Sequence, residues 1–407
     1  MRILMLSDMY PPYIGGVEQH VRNLSRGLTQ RGHAVTVVSM HHPERAEVAD
    51  EDGVRVHRLR STAWRATSLL GMGGRPYSPP LPDPAVMRSL RRIIKADRPE
   101  IIHAHNWMVD SVVPLKAWSK ARLVLTLHGY DMTCAKRSLM YYSRECTGPG
   151  FSKCLRCAAS NYGAAKGMTI TIGNWLTRGG RRSAVDMFLP VSHAVAVGND
   201  LERLRLPFQV LPNFVPDDVA QASAPSDYGS LLPEGPFCLF VGALRPHKGI
   251  NVLLQAYNRL EGAPPLVVIG TKWSDTPRRF PPKVIVQEDV PHAAVMAAWR
   301  RATIGIVPSV APDPCPTVAL EAMASGVPLV ASRNGGLSEM VDDGATGLLV
   351  EPGDADQLRR ALITLLDDEA MRRRMGEAAQ RRAVSFMATT VIDRLEGIYR
   401  QLATGAA

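Results

Sequence analysis

No run of 18 or more uncharged apolar residues occurs in this 407-residue chain, which excludes a membrane-spanning helix. The opening stretch, Met1-Arg-Ile-Leu-Met-Leu-Ser-Asp8, is too short an apolar run for a secretory leader and soon meets a carboxylate. It reads as a buried first strand. Aromatics are scarce, at 6% of residues, and no nucleic-acid-binding motif is present. That argues against a nucleic-acid partner despite a net charge of +10. Gly-x-Gly-x-x-Gly is missing as well, and with it the fingerprint of a dinucleotide-binding dehydrogenase. A cytoplasmic protein is expected.

The length exceeds that of one ordinary domain, and a hydrophobic content of 45% can fill two cores. Charge is unevenly shared. Residues 1–205 carry 29 Lys and Arg against 16 Asp and Glu, whereas residues 206–407 carry 19 against 22. A basic first half expects an anionic partner: an anionic or lipid-linked acceptor, or peripheral contact with the inner membrane face. A generally basic composition is the bland alternative.

The first half alternates short apolar runs with amphipathic stretches, as βαβ units do. Ile3–Leu6, Val35–Ser39, Ile101–Ala104, Leu123–Leu127 and Met187–Val191 read as parallel strands, with a helix over Val17–Gln30. Residues 61–84, rich in Gly and Pro, read as a long surface loop. Leu211-Pro-Asn-Phe-Val-Pro216 and the polar Ala/Ser/Pro stretch that follows it to about Pro236 read as a domain linker. Phe237–Val241, Leu266–Ile269, Val284–Val286, Ile304–Val307 and Leu329–Ala331 are strand candidates beyond it, followed by a long final helix. The expected domains are 1–210, with the C-terminal segment 385–407 packing back on it, and 211–384. Both should be doubly wound α/β layers, whose ligands sit beyond the C-terminal ends of the strands.

Asp313-Pro-Cys-Pro-Thr-Val-Ala-Leu-Glu321 holds two carboxylates eight positions apart around a predicted helix start. Pro316 suits the first turn of that helix and Gly326 its end. The free amides of Thr317 and Val318 would then face an anion at the positive helix end. Glu321, a turn further in, can reach a hydroxyl of whatever carries the anion, and Asp313 can reach groups beyond it. Alone, the pair could equally be a helix-entry residue and a solvated carboxylate. Val241-Gly-Ala-Leu-Arg-Pro-His-Lys-Gly249 ends a strand with Arg245 and Lys248 placed to neutralise a diphosphate; a surface turn is the plain alternative. Gly15-Gly16 lets backbone approach a ligand, though a Gly-Gly turn is more often structural. Leu127-His128-Gly-Tyr-Asp131 puts a histidine at a strand end, where it can cap the strand or meet a sugar hydroxyl. His103 and His105 share one strand face without enough partners for a metal site.

Taken together, these motifs resemble the retaining GT-B glycosyltransferases of glycosyltransferase family 4 (glycosyl transferases group 1), over nearly the whole chain. The resemblance implies two Rossmann-like domains facing a cleft. It implies that Lys248 grips the donor diphosphate and that Glu321 holds the donor ribose. His128 would meet the donor sugar near its 6-position, and Gly15 and Gly16 would approach the donor phosphate and the acceptor. Asp313 stands where the family has Glu, Pro316 where it has Gly, and Ala243 where it has Arg. Arg245 is expected to take over part of the missing arginine's role. Catalytic candidates are thus Lys248, Arg245, His128 and Asp313; donor-binding candidates are Gly15, Gly16, Lys248, Pro316, Thr317, Val318 and Glu321. Arg333-Asn-Gly-Gly-Leu-Ser-Glu339 resembles the loop closing the nucleotide pocket, and Ser192 matches a position near the domain crossover.

Cys134, Cys146, Cys154 and Cys157 cluster in the spacing C-x11-C-x7-C-x2-C. Four thiols with one Cys-x-x-Cys suit structural zinc in a loop. Two disulfides, an iron–sulfur cluster or unliganded thiols are the alternatives. Some family members share such an insertion after the histidine matching His128.

The expected activity is transfer of a hexose or N-acetylhexosamine from a nucleoside diphosphate sugar to an acceptor hydroxyl, with no cofactor needed for catalysis. UDP, the commoner base in the family, is favoured over GDP; glycan, glycolipid and small-molecule acceptors stay open. A GT-B nucleotide-sugar epimerase, which needs no acceptor, and a non-catalytic sugar-binding or zinc-scaffold protein are the alternatives.

Overall fold

The computed structural model describes residues 1–13, 15–62, 64, 79–142, 144–221 and 232–405. Most of the expected 61–84 loop, and residues 222–231 of the expected linker, lie outside them. Contacts divide the chain into two units, Met1–Pro212 with Ile392–Ala407, and Asn213–Val391.

In the first unit the apolar runs become β1 (Arg2–Ser7), β2 (Ala34–Met40), β3 (Val48–Glu51), β4 (Val54–Leu59), β5 (Ile101–His105) and β6 (Arg122–Leu127). The short hairpin β7 (Met140–Tyr141) and β8 (Arg144–Glu145) and then β9 (Met187–Pro190) complete its strands. The sheet order is β3-β4-β2-β1-β5-β6-β9. All pairings are parallel except that of the edge strand β3, which runs antiparallel to β4. The helices are α1 (Gly16–Gln30), α2 (Pro84–Asp97), α3 (Val109–Val112), α4 (Phe151–Tyr162), α5 (Ala164–Ala184) and α6 (His193–Gly198). Ser192 caps α6, its hydroxyl accepting from the Val195 amide at 3.3 Å.

The second unit repeats the scheme. Its strands are β10 (Cys238–Val241), β11 (Leu266–Ile269), β12 (Val284–Gln287), β13 (Ile304–Val307), β14 (Leu329–Ser332) and β15 (Gly347–Val350). They form an all-parallel sheet in the order β12-β11-β10-β13-β14-β15. The helices are α7 (Ile250–Asn258), α8 (His292–Arg301), α9 (Thr317–Ala324), α10 (Leu337–Met340), α11 (Ala355–Asp367) and α12 (Glu369–Ala383); the last helix, α13 (Ala388–Thr404), starts here and belongs to the first unit from Ile392. Central strands such as β11 and β13 are buried along their whole length, because helices cover both faces of a parallel sheet. Leu239, Phe240, Leu253, Ile306 and Val330 are among the side chains that fill this core.

Setting the extra edge β3 aside, each sheet has the doubly wound order 3-2-1-4-5-6, whose direction reverses between its first and fourth strands. That switch lies between β1 and β5 in one unit and between β10 and β13 in the other. Connections leave on opposite faces there, opening a crevice for ligand.

Two expectations need correction. Cys154 and Cys157 lie on a helix rather than in a loop: α4 and α5 form a helical hairpin joined at Gly163, whose φ of +83° favours glycine. The final helix does not belong to the first unit from residue 385. α13 starts at Ala388 beside Val215, and only from Ile392 does it pack in the first unit, against α1 and β5. There Glu396 meets His33 at 2.6 Å, and the Tyr399 hydroxyl lies 2.6 Å from His103 Nδ1.

Candidate functional site

The switch point of the second unit gathers the residues singled out at Lys248 and Asp313. The β10 strand ends at Val241 and its loop returns as a short 3-10 turn, Pro246–Lys248, before α7. Gly249 closes that turn at φ +82°, and a Cβ there would lie 1.8 Å from the Pro308 carbonyl oxygen. Only glycine allows the Lys248 turn to press against the end of β13. The Val310 and Ala311 amides donate to the His247 carbonyl at 2.9 and 3.1 Å, locking the two loops together. Lys248 Nζ then lies 2.5 Å from Asp313 Oδ2, which also accepts from the Ser309 hydroxyl at 2.9 Å. Asp313 is buried, whereas about a third of the Lys248 side chain faces solvent. His247 is pushed down to about 4 by burial and by the neighbouring Lys248 and Arg245 cations, so it is neutral at pH 7.

The Asn334-Gly-Gly loop after β14 braces this carboxylate from behind. Gly335, at φ +52°, packs on the Asp313 backbone, where a Cβ would meet its carbonyl oxygen at 2.4 Å. The Gly336 amide donates to that carbonyl at 2.7 Å, and the Asn334 amide group donates to the Ser309 and Val310 carbonyls. The resemblance at Arg333–Glu339 therefore falls on a loop whose role here is to hold Asp313. Glu339 sits half-buried in α10.

Pro316 is the residue before α9, not its first helical residue: it keeps an extended backbone (φ −70°, ψ 120°) and the helix starts at Thr317. No side chain caps this end, so the Thr317 and Val318 amides lead the helix, on half-buried residues. Gly326, at φ +73°, ends it as expected of a left-handed terminator. Glu321 is buried one turn in and accepts from His292 Nε2 at 2.8 Å; that hydrogen bond raises the His292 pKa. Sequence reasoning missed His292, because nothing in Val290-Pro-His292 marks it as the partner of a carboxylate 29 residues away.

Arg245 is placed otherwise than expected. Its guanidinium grips Asp275 through three contacts of 2.9–3.1 Å and lies 5.0 Å from the centre of the Trp273 ring. The fork geometry of arginine favours such a bidentate partner. A diphosphate would therefore have to draw Arg245 away from Asp275.

In the first unit the corresponding switch point gathers histidines. His105 ends β5 and His128 follows β6, and their Nδ1 and Nε2 atoms are 2.9 Å apart. His20, on α1, brings its ring to 4.9 Å from that of His128. His103, on the same face of β5, binds Thr126 and Tyr399 at 2.6 Å each. Burial, reinforced by neighbouring histidines, pushes His20 and His105 well below the ordinary value and His103 to about 3. These three rings are neutral at pH 7 and serve as hydrogen-bonding groups, not cations. Among the described residues, His20, His105 and His128 are the only trio whose ligating atoms lie within 4.8 Å of one another, the spacing a divalent cation would need. Gly15 and Gly16 lead α1 beside this cluster in sequence; Gly15 packs on Glu18, while a Cβ on Gly16 would meet nothing within 4 Å.

Asp8 was not foreseen. It follows β1, accepts from the Trp107 amide at 3.2 Å, and burial raises it to about 7 against the lowering pull of Arg137. Its signal was positional: a carboxylate directly after the first strand of a doubly wound sheet.

The four clustered cysteines line one cavity of about 20 Å³, together with Met140, Gly148 and Lys153. All four are free thiols. Cys134 is held above the ordinary thiol value by burial, although the Leu139, Lys136 and Ser138 amides point at its sulfur. Amides aimed at sulfur suit a metal-bound thiolate, and four thiols around a water-sized space suit tetrahedral zinc in chemistry. Their spacing is looser than in a closed site, since no three of them come within 4.8 Å of one another among the described residues.

Two Rossmann-like sheets, each in the order 3-2-1-4-5-6 apart from the edge β3, are those of the GT-B fold. The model for Glycosyltransferase Family 4 matches residues 14–219 and that for Glycosyl transferases group 1 matches residues 230–382. The chain belongs to this glycosyltransferase family. It is 28% identical over 431 aligned positions to a glycogen synthase of Mycobacterium tuberculosis, covering 95% of this chain and 91% of that protein. The sucrose-phosphate synthase structure from Thermosynechococcus elongatus superposes with a TM-score of 0.76 at 20% identity, covering both chains fully. HepE of Anabaena in complex with UDP gives a TM-score of 0.68 at 17% identity, over 98% of this chain and 100% of that one.

Proposed function

We propose that this glycosyltransferase moves a hexose or N-acetylhexosamine from a nucleoside diphosphate sugar to an acceptor hydroxyl with retention of configuration, and with UDP favoured over GDP as the carrier. The carrying observation is the Lys248–Asp313 pair at the β10/β13 switch, beside the uncapped start of α9. A diphosphate entering there meets the Lys248 ammonium and the Thr317 and Val318 amides, and displaces Asp313 from Lys248. The freed Asp313 carboxylate, still held by Ser309, then accepts from a hydroxyl of the transferred sugar. As the sugar–phosphate bond breaks, the cation and amides stabilise the developing charge on the leaving oxygen. The acceptor oxygen bonds to the anomeric carbon on the face just vacated, and its proton passes to the departing phosphate. No protein nucleophile enters this scheme, and the charge is met by protein groups in place of a catalytic metal. His128 is assigned to the sugar by the family resemblance.

Glu321, oriented by His292, is assigned to the ribose hydroxyls. Glu321→Ala removes a charged hydrogen-bond acceptor, so nucleoside diphosphate affinity should fall roughly 10- to 100-fold in calorimetry. Unchanged affinity would remove the assignment.

The acceptor is anionic or lipid-linked, or a small molecule, and the protein is placed in the cytoplasm with contact at the inner membrane face. The basic first half supports both. A reaction that consumes donor and inverts a ring carbon without acceptor would favour the epimerase reading instead.

The cysteine cavity is proposed to hold structural zinc through Cys134, Cys146, Cys154 and Cys157. Metal analysis should find about one zinc per chain, lost together with several degrees of Tm in Cys154→Ser/Cys157→Ser. Wild-type protein purified from zinc-replete cells with no zinc and an unaltered melting curve after chelation would refute it.

A further inference from the structure

We infer that the outer face of α5 is a docking surface for an anionic lipid bilayer. The inference concerns the helical hairpin alone and does not depend on the donor chemistry proposed above. Helix α5 buries one large aliphatic side chain, Ile170, and exposes three others. Its inward face carries Gly167 packed on Ala158 and Ala159, Gly173 packed on Pro80, and the buried polar residues Asn174 and Arg181. Its outward face carries Met168, Ile172 and Leu176, at 46%, 39% and 71% exposure. Residues four apart stack on one helix face, so these three make a continuous apolar ridge of about 12 Å. Phe151, 46% exposed at the start of α4, extends the patch sideways through an edge-on contact with Trp175, ring centres 5.4 Å apart. The Arg178 guanidinium stacks on that indole at 3.8 Å. Tryptophan and arginine at the border of an apolar ridge suit the headgroup region of a bilayer.

Charge selects the occupant. Residues 146–185 contain Lys153, Arg156, Lys166, Arg178, Arg181 and Arg182 and no Asp or Glu at all. Arg181 is buried against Asp110 and Arg182 lies near Asp200; of the other four cations of the hairpin, Arg178 stacks on Trp175 at the border of the ridge. A second copy of the chain would oppose like charges across such a contact, which disfavours a dimer through this face. Anionic headgroups complement it, while the side chains of the ridge enter the acyl boundary. No described helix is long and apolar enough to cross the membrane, so α5 would lie along the surface.

The test is co-sedimentation of the full chain with vesicles of phosphatidylcholine alone or mixed with phosphatidylglycerol. Wild type should pellet with the mixed vesicles and dissociate as salt rises. Ile172→Glu/Leu176→Glu should bind at least about tenfold more weakly, with an unchanged melting curve and unchanged nucleoside diphosphate binding. Arg178→Gln/Arg182→Gln should lose much of the preference for anionic over neutral vesicles. The proposal is overturned if wild type stays in the supernatant, or if the glutamate variant binds as tightly as wild type. It is also overturned if light scattering shows a dimer that the glutamate variant dissociates while neither protein binds vesicles.

Discussion

Lys248→Ala should lower kcat roughly 100- to 1,000-fold, the usual cost of removing one preorganised group that stabilises developing charge. The loss should appear in turnover more than in donor KM, because the ammonium is worth most when the leaving diphosphate gains charge. In the resting protein Lys248 faces Asp313 at 2.5 Å, and the substitution leaves that buried carboxylate with the Ser309 hydroxyl. A modest drop in Tm is therefore expected alongside the kinetic defect, and the two separate on inspection: at a temperature well below Tm the variant is folded and slow. Lys248→Arg should recover only part of the rate, since a planar guanidinium does not reproduce a compact ammonium. A folded Lys248→Ala enzyme with wild-type kcat would remove the lysine from the reaction and, with it, the reading of the β10/β13 crevice as the diphosphate site.

Arg181→Ala should be the most destabilising single substitution considered, by about 3–5 kcal/mol, because it strands a buried charge. Arg181 and Asp110 are both 1% exposed in their side chains, with the guanidinium 2.9 Å from the carboxylate. Arg181 also donates within α5, to Asn174 at 2.6 Å and to Thr177 at 2.5 Å, while its pairing with Asp110 ties α5 to α3. Burial raises Asp110 to about 6 even with Arg181 pulling it down. Removing the arginine raises it further. A carboxyl whose pKa is higher in the folded state stabilises the fold when protonated and loses that contribution as pH rises through the folded value. The variant's deficit should thus be larger at pH 8 than at pH 5, as read from urea melts at both. Arg181→Met/Asp110→Leu should recover much of the loss, since replacing both ions by apolar groups leaves no charge stranded. Equal melts of Arg181→Ala and wild type at pH 8 would contradict the account.

Much of the fold was legible because strand signals are local. Ile304–Val307 and Leu266–Ile269 are short, β-branched runs between polar stretches, and both became central strands with those bounds. Helix α5 was not legible, for an equally physical reason. A reader expects apolar residues to mark the buried face, but Met168, Ile172 and Leu176 point outward, while Ile170 shares the inward face with glycines and Arg181. Only the neighbouring α4, which lets Gly167 come close, makes that arrangement a packed helix. In the site, Lys248, Asp313 and Glu321 were visible through their motifs. The partners that orient them, Ser309 and His292, were not.

By itself, the sequence determined two doubly wound halves, the glycine-bounded turn that carries Lys248, and the helix that carries Thr317 and Glu321. Those depend on run length, glycine placement and helix-start chemistry, all encoded within a few residues. Tertiary structure alone decided which charges meet: Lys248 with Asp313, Arg245 with Asp275, Arg181 with Asp110. Electrostatic partnership depends on distance and burial, and two cations three residues apart, Arg245 and Lys248, took different carboxylates because one turn of backbone aims them apart.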